Sequence, residues 1–244
     1  MSVLSWARAC YFRTQQRAFR VRTWEPLAAR GLWVGASVAL VGNAGYLSKV
    51  QQGDLIDSHD VVIRMNNFRL TGFEEAIGRR TDILLTNFYR DIDFSNPALQ
   101  QAQVVVSSSP NNFQKTPERG LLIRHGELIT TGMLKMGARE VFAPETEHFV
   151  GWIEQVGAYP TTGAVGIFLL LDYLLPVIKT AYLTGFSFFA GRSHYFNTAK
   201  IVPNNHNMDR EKAILCTRLE REILEGKVSV DPIMKTHLHS GQAA

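Results

Sequence analysis

Two histidines in polar segments near the C-terminal end could carry chemistry. His206 lies in PNNHNMDREKAIL, directly ahead of a helical pattern, and His194 lies in the loop-like stretch GRSHYFN. A polar residue ahead of a helix is most often part of a cap. An imidazole can also act as a general base near neutral pH, so both interpretations stay open. No carboxylate or thiol stands at a familiar ligand spacing, which disfavours a zinc site.

Two other segments could bind an anionic ligand. In YPTTGAVGIFLLLDYL, Thr161 and Thr162 precede an apolar helix whose free N–H groups and positive dipole end would attract a phosphate or carboxylate. Plain capping by either threonine explains the stretch equally well. The turn VGNAGYL follows a β-branched run, but its Gly-x-x-Gly spacing does not complete a dinucleotide fingerprint.

A third pattern, Asp91-Ile92-Asp93, has the D-x-D form with which many nucleotide-sugar transferases hold a divalent cation against a diphosphate. It follows the polar and aromatic stretch TNFYR and not the end of an apolar strand. We therefore interpret it as a solvated loop.

The elements that must position these residues alternate between strands and helices. Six apolar runs predict strands: ASVALVGN, HDVVIRMNNF, TDILLTN, QVVVSSS, EVFAP and TAYLTGF. Helical patterns cover 118–136, 161–175 and 208–225. This alternation predicts an α/β fold, a single Rossmann-like domain with a mostly parallel twisted sheet covered by helices. In such folds the ligand lies at the carboxyl ends of the strands. The polar tips should therefore line one crevice, namely Gly42-Asn43, Arg64-Met65-Asn66, Ser107-Ser108-Ser109 and Gly185-Phe186.

Composition and charge fit one globular domain. The 244 residues are 45% hydrophobic and 20% charged, which excludes a disordered or collagen-like chain. Part of the net charge of +4 lies in a basic N-terminal arm, residues 1–35, ahead of the predicted domain at 36–244. The arm suits a basic amphipathic helix that contacts a membrane surface, with apolar members Trp6, Tyr11, Phe12 and Phe19. The chain has no apolar run of membrane-spanning length and no signal-peptide pattern.

Four segments in order resemble a known family. VALVGNAGYLSKVQQGDLIDSHDVVIRMNNFRLTGFEEAIGRRTDILL looks like the large sialyl motif of the eukaryotic-type sialyltransferases, glycosyltransferase family 29. YPTTGAVGIFLLLDYLLPVIKTAYLTGF resembles the small sialyl motif, although it is a few residues longer. HYFN at 194–197 resembles the third motif, and His206 with Glu211 fits the H-x-x-x-x-E motif. The resemblance implies a GT-A-like sialyltransferase variant.

The resemblance also implies a reaction and a set of residues. The family transfers sialic acid from CMP-sialic acid to an acceptor hydroxyl of a glycan or glycolipid, with inversion, without a metal and without a further cofactor. His206 would be the general base, supported by Glu211, and His194 would face the leaving phosphate. Because His206 precedes a helix, we expect the positive end of that helix to disfavour the imidazolium. The implied donor-binding residues are Gly42, Asn43, Asn66, Thr161, Thr162, Gly163, Gly185 and Tyr195.

Departures from the family pattern shape the remaining expectations. Val38 stands where relatives carry a disulfide-forming cysteine, and Cys10 and Cys216 form no framework of spaced pairs, so we expect a reducing compartment. A compact bacterial relative would fit, in the cytoplasm or on the cytoplasmic membrane face, with no nucleic-acid partner; the Golgi is disfavoured. Two alternatives stay open: a CMP-Kdo-dependent transferase, and a non-catalytic nucleotide-binding domain. Acceptor contacts are expected between 86 and 158, with candidates Phe88, Tyr89, Asn111, Asn112 and His148.

Overall fold

One open sheet organises the chain. The computed structural model describes residues 3–29, 31–89, 91–113, 124–188, 190, 193–197 and 206–239. Within these ranges eight strands lie in the order β1-β6-β5-β4-β3-β2-β7-β8, and every pairing between neighbours is parallel. The strands are β1 (Arg20–Arg22), β2 (Ser37–Val41), β3 (Val61–Met65), β4 (Ile83–Thr86), β5 (Val104–Ser107), β6 (Glu140–Phe142), β7 (Thr180–Thr184) and β8 (Val228–Val230).

Helices cover both faces of this sheet. They are α1 (Val3–Gln15), α2 (Trp24–Ala28), α3 (Gly53–Asp57), α4 (Glu74–Ile77), α5 (Pro97–Gln100), α6 (His125–Met136), α7 (Thr146–Val156), α8 (Thr162–Leu169), α9 (Met208–Leu224) and α10 (Pro232–His239). Successive residues of a strand point to opposite faces. Val38 and Leu40 accordingly pack in one core with residues of α7, α8 and α9, while Ala39 and Val41 pack in a second core with residues of α3, α4 and α6. The predicted α/β fold is confirmed, and the described sheet is parallel throughout.

The six predicted strands are present and lie side by side in the sheet, as β2 to β7. Most of their side chains are apolar and buried on both faces, as is typical of parallel sheets. Two edge strands were not predicted. Arg20–Arg22 and Val228–Val230 are three residues long and carry polar side chains, so neither gives an apolar run.

The chain reverses its direction of travel across the sheet at β2. From β2 the chain adds β3, β4, β5 and β6 on one side, and it adds β7 and β8 on the other side. Ligands of open α/β sheets bind outside the carboxyl ends of the strands at such a switch point. Gly42 follows β2 and Gly185 follows β7, so both glycines lie at this position.

The two ends of the chain differ from the sequence expectations in part. The segment Lys235 to His239, which was expected to be a solvated end, lies in α10, where Leu238 is buried. In the predicted arm, α1 exposes Trp6 and Tyr11, whereas Phe19 is buried beneath the sheet. Trp24, Leu27 and Trp33 also join the core, and β1 pairs with β6. The division at residue 35 stays a prediction.

The helix of the small motif contains an irregular turn. The residues Leu170–Leu174, directly after α8, form a π-helical turn in which Leu175 N–H donates to Leu170 O at 2.9 Å. A π turn adds a residue to a helix without ending it. The turn places Asp172 where it forms an ion pair with Arg218 of α9.

The predicted helix 118–136 is described from His125 onward, and 114–123 lie outside the described residues. Among the described helices none is long and apolar enough to cross a membrane.

Candidate active site

A cavity of about 390 Å³ lies at the carboxyl ends of β2, β3, β4 and β7. Two walls can be distinguished. The strand wall consists of Gly42, Asn43, Asn66 and Gly185, which follow the strands. The helix wall consists of Thr161, Thr162, Gly163, His206 and Glu211, which lie at or near the N-terminal ends of α8 and α9. The lining residues also include Asn87, Asp91, Phe186, Phe188, Ser193 and His194.

The strand wall is formed by two backbones in contact. Gly42 N–H donates to Thr184 O at 2.8 Å, and Ala44 N–H donates to Gly185 O at 2.9 Å. A Cβ at position 42 would lie 2.2 Å from Gly185 O, and Gly185 itself has a φ of +81°. Only glycine accommodates both the contact and that φ angle. The Gly-Asn turn of the large motif is thereby explained by the close approach of β2 and β7.

Two asparagines connect the strand wall to its surroundings. The Asn43 amide donates to Met65 O at 2.9 Å, which joins the ends of β2 and β3. The Asn66 amide donates to the Thr162 hydroxyl at 3.1 Å, and Asn66 Oδ1 accepts from Asn87 N–H at 3.1 Å. Asn66 has a φ of 51°, a left-handed conformation in which Asn is enriched among non-glycine residues. Asn66 therefore links the ends of β3 and β4 to the start of α8.

A buried carboxylate joins the two helices of the helix wall. The Thr161 hydroxyl caps α8 by accepting from Ala164 N–H at 3.1 Å. The same hydroxyl donates to Glu211 Oε1 at 2.7 Å, and Thr161 N–H donates to Glu211 Oε2 at 2.8 Å. Burial raises the pKa of Glu211, while the two hydrogen bonds from Thr161 and the nearby His206 act to lower it. The capping interpretation of Thr161 is confirmed.

His206 lies in the helix wall with one nitrogen occupied. Its Nδ1 lies 2.7 Å from Tyr159 O. Because a carbonyl oxygen only accepts hydrogen bonds, Nδ1 carries the proton in the neutral ring, and Nε2 keeps its lone pair. Asn207 provides the cap of α9 by accepting from Arg210 N–H. His206 thus precedes the cap residue, and its imidazole is held in the tautomer that a base acting through Nε2 requires.

His194 lines the cavity from a loop beside the strand wall. It pairs with Ala44 through an isolated antiparallel bridge, and its ring stacks on Phe196 with the centroids 5.1 Å apart. Burial lowers the pKa of His194, and the carboxylate of Asp91 opposes this effect. Burial therefore favours the neutral form of His194, whereas the role that the resemblance implies is to neutralise charge.

The structure brings together all the predicted site residues except Tyr195. The Tyr195 hydroxyl donates to Arg69 O at 2.7 Å and accepts from Arg69 N–H at 2.9 Å, so it lies away from the cavity lining. Its backbone N–H donates to Asn43 O, which ties the third motif to the Gly-Asn turn. Burial raises the pKa of Tyr195 to about 12. The placement supports a bracing role for this tyrosine.

One predicted polar tip, Ser107-Ser108-Ser109, does not line the cavity, and in the tip Arg64-Met65-Asn66 only Met65 and Asn66 do. Arg64 is buried and donates to Ile77 O and Arg80 O, and the Ser107 hydroxyl donates to Ser109 O inside the protein. The five acceptor candidates also lie outside the cavity lining. Phe88 is in the core, Asn111 binds Gln16, and the exposed His148 pairs with Glu145.

Sequence reasoning did not assign Asn87, Asp91 or Phe188 to the cavity. Asn87 ends the predicted strand TDILLTN, so its position at a strand tip was a usable indication. Asp91 was considered only as one of the two aspartates of a possible metal-binding D-x-D pattern. Among the described residues no group of three or more His, Cys, Asp or Glu side chains is placed to hold a metal ion. Cys10 and Cys216 are free thiols.

Comparison with known proteins points to one family. Residues 36–114 match the family model for glycosyltransferase family 29 (sialyltransferase). The type 2 lactosamine alpha-2,3-sialyltransferase of Homo sapiens is 28% identical over 213 residues, which cover 76% of this chain and 62% of that protein. This chain thus spans about three fifths of the length of such relatives. The beta-1,6-galactosyltransferase GALT29A of Arabidopsis thaliana is 49% identical over 51 residues, which cover 21% of this chain and 13% of that protein.

A solved structure shares the fold. A crystal structure of a mammalian sialyltransferase superimposes with a TM-score of 0.50 and 19% sequence identity, covering 81% of this chain and 69% of that chain. The match of residues 36–114 includes β2 to β5 and the glycine and asparagines of the strand wall that precede α6. The resemblance predicted from the motifs is confirmed over residues 36–114, which match the model of glycosyltransferase family 29 (sialyltransferase).

Proposed function

We propose that this protein is an inverting glycosyltransferase that moves a sialic acid from CMP-sialic acid to a hydroxyl of a glycan or glycolipid. The observation that carries the proposal is the hydrogen bond from His206 Nδ1 to Tyr159 O, which leaves Nε2 as a base in the cavity wall. The family match of residues 36–114 and the names of the similar proteins support the donor class. A non-catalytic nucleotide-binding domain would have no need of this tautomer.

The chemical step is a single displacement. The acceptor oxygen forms a bond to the anomeric carbon of the sugar while the bond from that carbon to the phosphate oxygen breaks, and CMP departs with the electron pair. The acceptor proton passes to Nε2 of His206, as general-base catalysis requires. Attack from the side opposite the phosphate inverts the configuration at the anomeric carbon. Glu211 and Tyr159 act by holding the imidazole and the two helix ends in place.

The donor's negative charges can be met by groups of this cavity without a metal. The phosphate diester and the carboxylate each carry one negative charge, and the N-terminal end of α8 presents free N–H groups and a positive dipole end. His194 can donate a hydrogen bond to the departing phosphate, and an arriving anion would favour its protonation. Metal independence is part of this proposal. It predicts that EDTA leaves the rate of transfer unchanged.

The base assignment is tested by replacing His206. His206→Ala should keep CMP binding, measured by calorimetry, and lower the rate of transfer by at least ~100-fold, a scale typical of lost general-base catalysis. His148→Ala serves as the control, because His148 is an exposed histidine outside the cavity. Full activity of His206→Ala would rule out the role of this residue.

The donor sugar is tested by the release of CMP. Among the similar proteins, several are named sialyltransferases and one is named a galactosyltransferase. CMP-sialic acid, CMP-Kdo and UDP-galactose should therefore be offered separately. The proposal expects turnover of CMP-sialic acid, whereas turnover of CMP-Kdo alone would keep the mechanism and change the donor. Binding of all three without turnover would favour a non-catalytic domain.

Contact with a membrane surface is a further part of the proposal, and a cytoplasmic location stays a prediction. Helix α1 exposes Leu4, Trp6 and Tyr11, with exposed fractions of 84%, 59% and 59%. Arginines follow on the same segment, which suits a headgroup layer of anionic lipid. Binding to phosphatidylglycerol vesicles, lost in Trp6→Ser and weakened by salt, would support the contact. Equal binding to neutral vesicles would contradict its electrostatic part.

A further inference from the structure

The loop after β4 holds one of its two carboxylates toward the cavity. Asn67, which follows Asn66 of the strand wall, donates from its amide to Asp91 O at 2.7 Å and accepts from Asp93 N–H at 2.9 Å. This pair of hydrogen bonds fixes both ends of Asp91-Ile92-Asp93. Ile92 is buried beneath the loop and anchors it further. The position of Asp91 is therefore set by the same segment that forms the cavity.

The two aspartates of this loop have different surroundings. The Asp93 carboxylate accepts from Ser95 N–H at 3.1 Å and from the Ser95 hydroxyl at 2.5 Å, so it is used within the loop. Asp91 lines the cavity, and none of the described residues donates a hydrogen bond to its carboxylate. Its negative charge acts on His194 across the cavity. Within the described part of the chain, both carboxylate oxygens of Asp91 are therefore left available to a ligand in the cavity.

The charge of Asp91 restricts which ligand it can meet. The proposed donor carries a phosphate and a carboxylate, and an unpaired carboxylate beside either anion would repel it. The anion-attracting groups of the cavity lie instead at the N-terminal end of α8. A neutral sugar acceptor, by contrast, offers hydroxyl groups that donate strong hydrogen bonds to a carboxylate. The carboxylate suits the acceptor side of the cavity.

We propose that Asp91 is a specificity-determining residue that accepts hydrogen bonds from hydroxyl groups of a neutral acceptor sugar and disfavours acceptors that carry a negative charge beside the attacking oxygen. This inference rests on the proposed transferase function. It gives the D-x-D segment a role in acceptor selection through Asp91, with Asp93 serving only to shape the loop.

The test separates the acceptor from the donor. Asp91→Asn should raise the KM for the best neutral acceptor, chosen from a panel of β-galactosides that includes type 2 lactosamine, by ~10-fold or more, as expected for a lost hydrogen bond to a charged group. The KM for CMP-sialic acid and the release of CMP without acceptor should stay within about twofold of wild type, because the donor contacts are unchanged. An unchanged acceptor KM would overturn the inference.

The neighbouring aspartate supplies the matched control. Asp93→Asn keeps an oxygen that can accept from Ser95 and should leave the acceptor KM unchanged. A second measurement compares type 2 lactosamine with its sulfated form. The wild type should prefer the neutral sugar, and Asp91→Asn should reduce that preference. A parallel fall in transfer and in acceptor-free CMP release would show that Asp91 acts through His194 and would overturn the inference. Failure of the wild type to release CMP would instead count against the proposed function.

Discussion

The two walls of the cavity are held by different interactions and contribute different chemical groups. In the strand wall, Gly42 and Gly185 bring two backbones together, and Asn43 and Asn66 hold neighbouring segments through amide hydrogen bonds. None of these four residues is ionisable. In the helix wall, by contrast, a carboxylate and an imidazole occupy the ends of two helices. The strand wall therefore sets the shape of the cavity, and the helix wall carries the groups that respond to protons.

This difference predicts which kind of substitution disrupts each wall. Substitutions that add side-chain volume should disrupt the strand wall, because its contacts join backbone atoms that can separate only if a strand shifts. A change of charge or pH should damage the helix wall, where Glu211 joins α9 to residue Thr161, 50 positions away in the sequence. Substitutions that alter only one of these properties can distinguish the two walls.

The largest effect is expected from Gly42→Ala. The new methyl group would lie 2.2 Å from Gly185 O and 2.8 Å from Gly185 C, so β2 or β7 must shift. Overpacking of this kind costs about 1–3 kcal/mol. We expect this loss in the free energy of unfolding, measured by urea denaturation, and no detectable transfer.

The helix wall provides a comparison for this variant. At Gly163 an added Cβ would meet Phe186 at 3.4 Å, an ordinary contact, so Gly163→Ala should be much less destabilising. At Gly151 of α7 nothing lies within 4 Å, and Gly151→Ala should gain stability through helix propensity. Equal destabilisation by Gly42→Ala and Gly163→Ala would contradict the distinction between the walls.

The next effect in size concerns a buried histidine behind the helix wall. His125 packs edge-on against the rings of Phe149 and Tyr159, and the carbonyl of Tyr159 holds His206. Its Nδ1 is buried without a hydrogen-bond partner among the described residues. Burial lowers the pKa of His125 from 6.5 to about 4. Between these two values the unfolded chain binds a proton that the folded protein does not, so stability falls as the pH falls.

The shift in the pKa of His125 corresponds to about 3 kcal/mol in the free energy of unfolding. This contribution is fully present above pH 6.5 and is lost as the pH falls through about 4. His125→Phe fills a similar space without a titratable group and should remove this part of the pH dependence. Urea denaturation at pH 7.5 and pH 4.5 measures the difference for both proteins. An unchanged difference in the variant would show that other groups cause the loss at low pH.

The fold could be predicted from the sequence where burial leaves a continuous apolar run. SVALV and VVIRM lie in the middle of the sheet with both faces covered, and their runs are unambiguous. The edge strand Arg20–Arg22 carries two arginines because one side of it faces solvent, so its sequence resembles a loop. Its pairing with β6 joins segments about 120 residues apart, which no local pattern records.

The candidate site could be predicted where it coincides with a motif. The glycines and asparagines of the strand wall and the threonines of the helix wall follow strand ends or precede helices, where polar residues are conspicuous. Tyr195 was placed in the site by the family resemblance, but it lies in the tight turn between His194 and Asn197, and its hydroxyl binds the backbone of Arg69. Asp91 reaches the cavity only because Asn67 fixes its loop, and that contact depends on the tertiary fold.

The smallest change in stability is expected from Glu211→Gln, and it separates positioning from folding. The raised pKa of Glu211 means that its ionised form is disfavoured by burial, so the stability that this residue contributes is present below pH 4.5 and lost as the pH rises through the folded-state pKa. A neutral glutamine of the same shape removes that charge but can accept only one of the two hydrogen bonds from Thr161. At neutral pH these effects oppose each other, and we expect the free energy of unfolding to change by less than ~1 kcal/mol.

Activity should respond far more than stability to the same substitution. Loss of one hydrogen bond loosens the contact between α8 and α9 and displaces His206, and small misplacements of a catalytic group cost ~10- to 100-fold in rate. We therefore expect kcat to fall within that range while the KM for CMP-sialic acid changes little. Glu154→Gln, on the exposed side of α7, is the matched control and should change neither quantity. If Glu211→Gln lost stability and activity in proportion, Glu211 would only support the fold. A selective loss of kcat at preserved stability requires that the helix wall position the base, which is the property that the strand wall lacks.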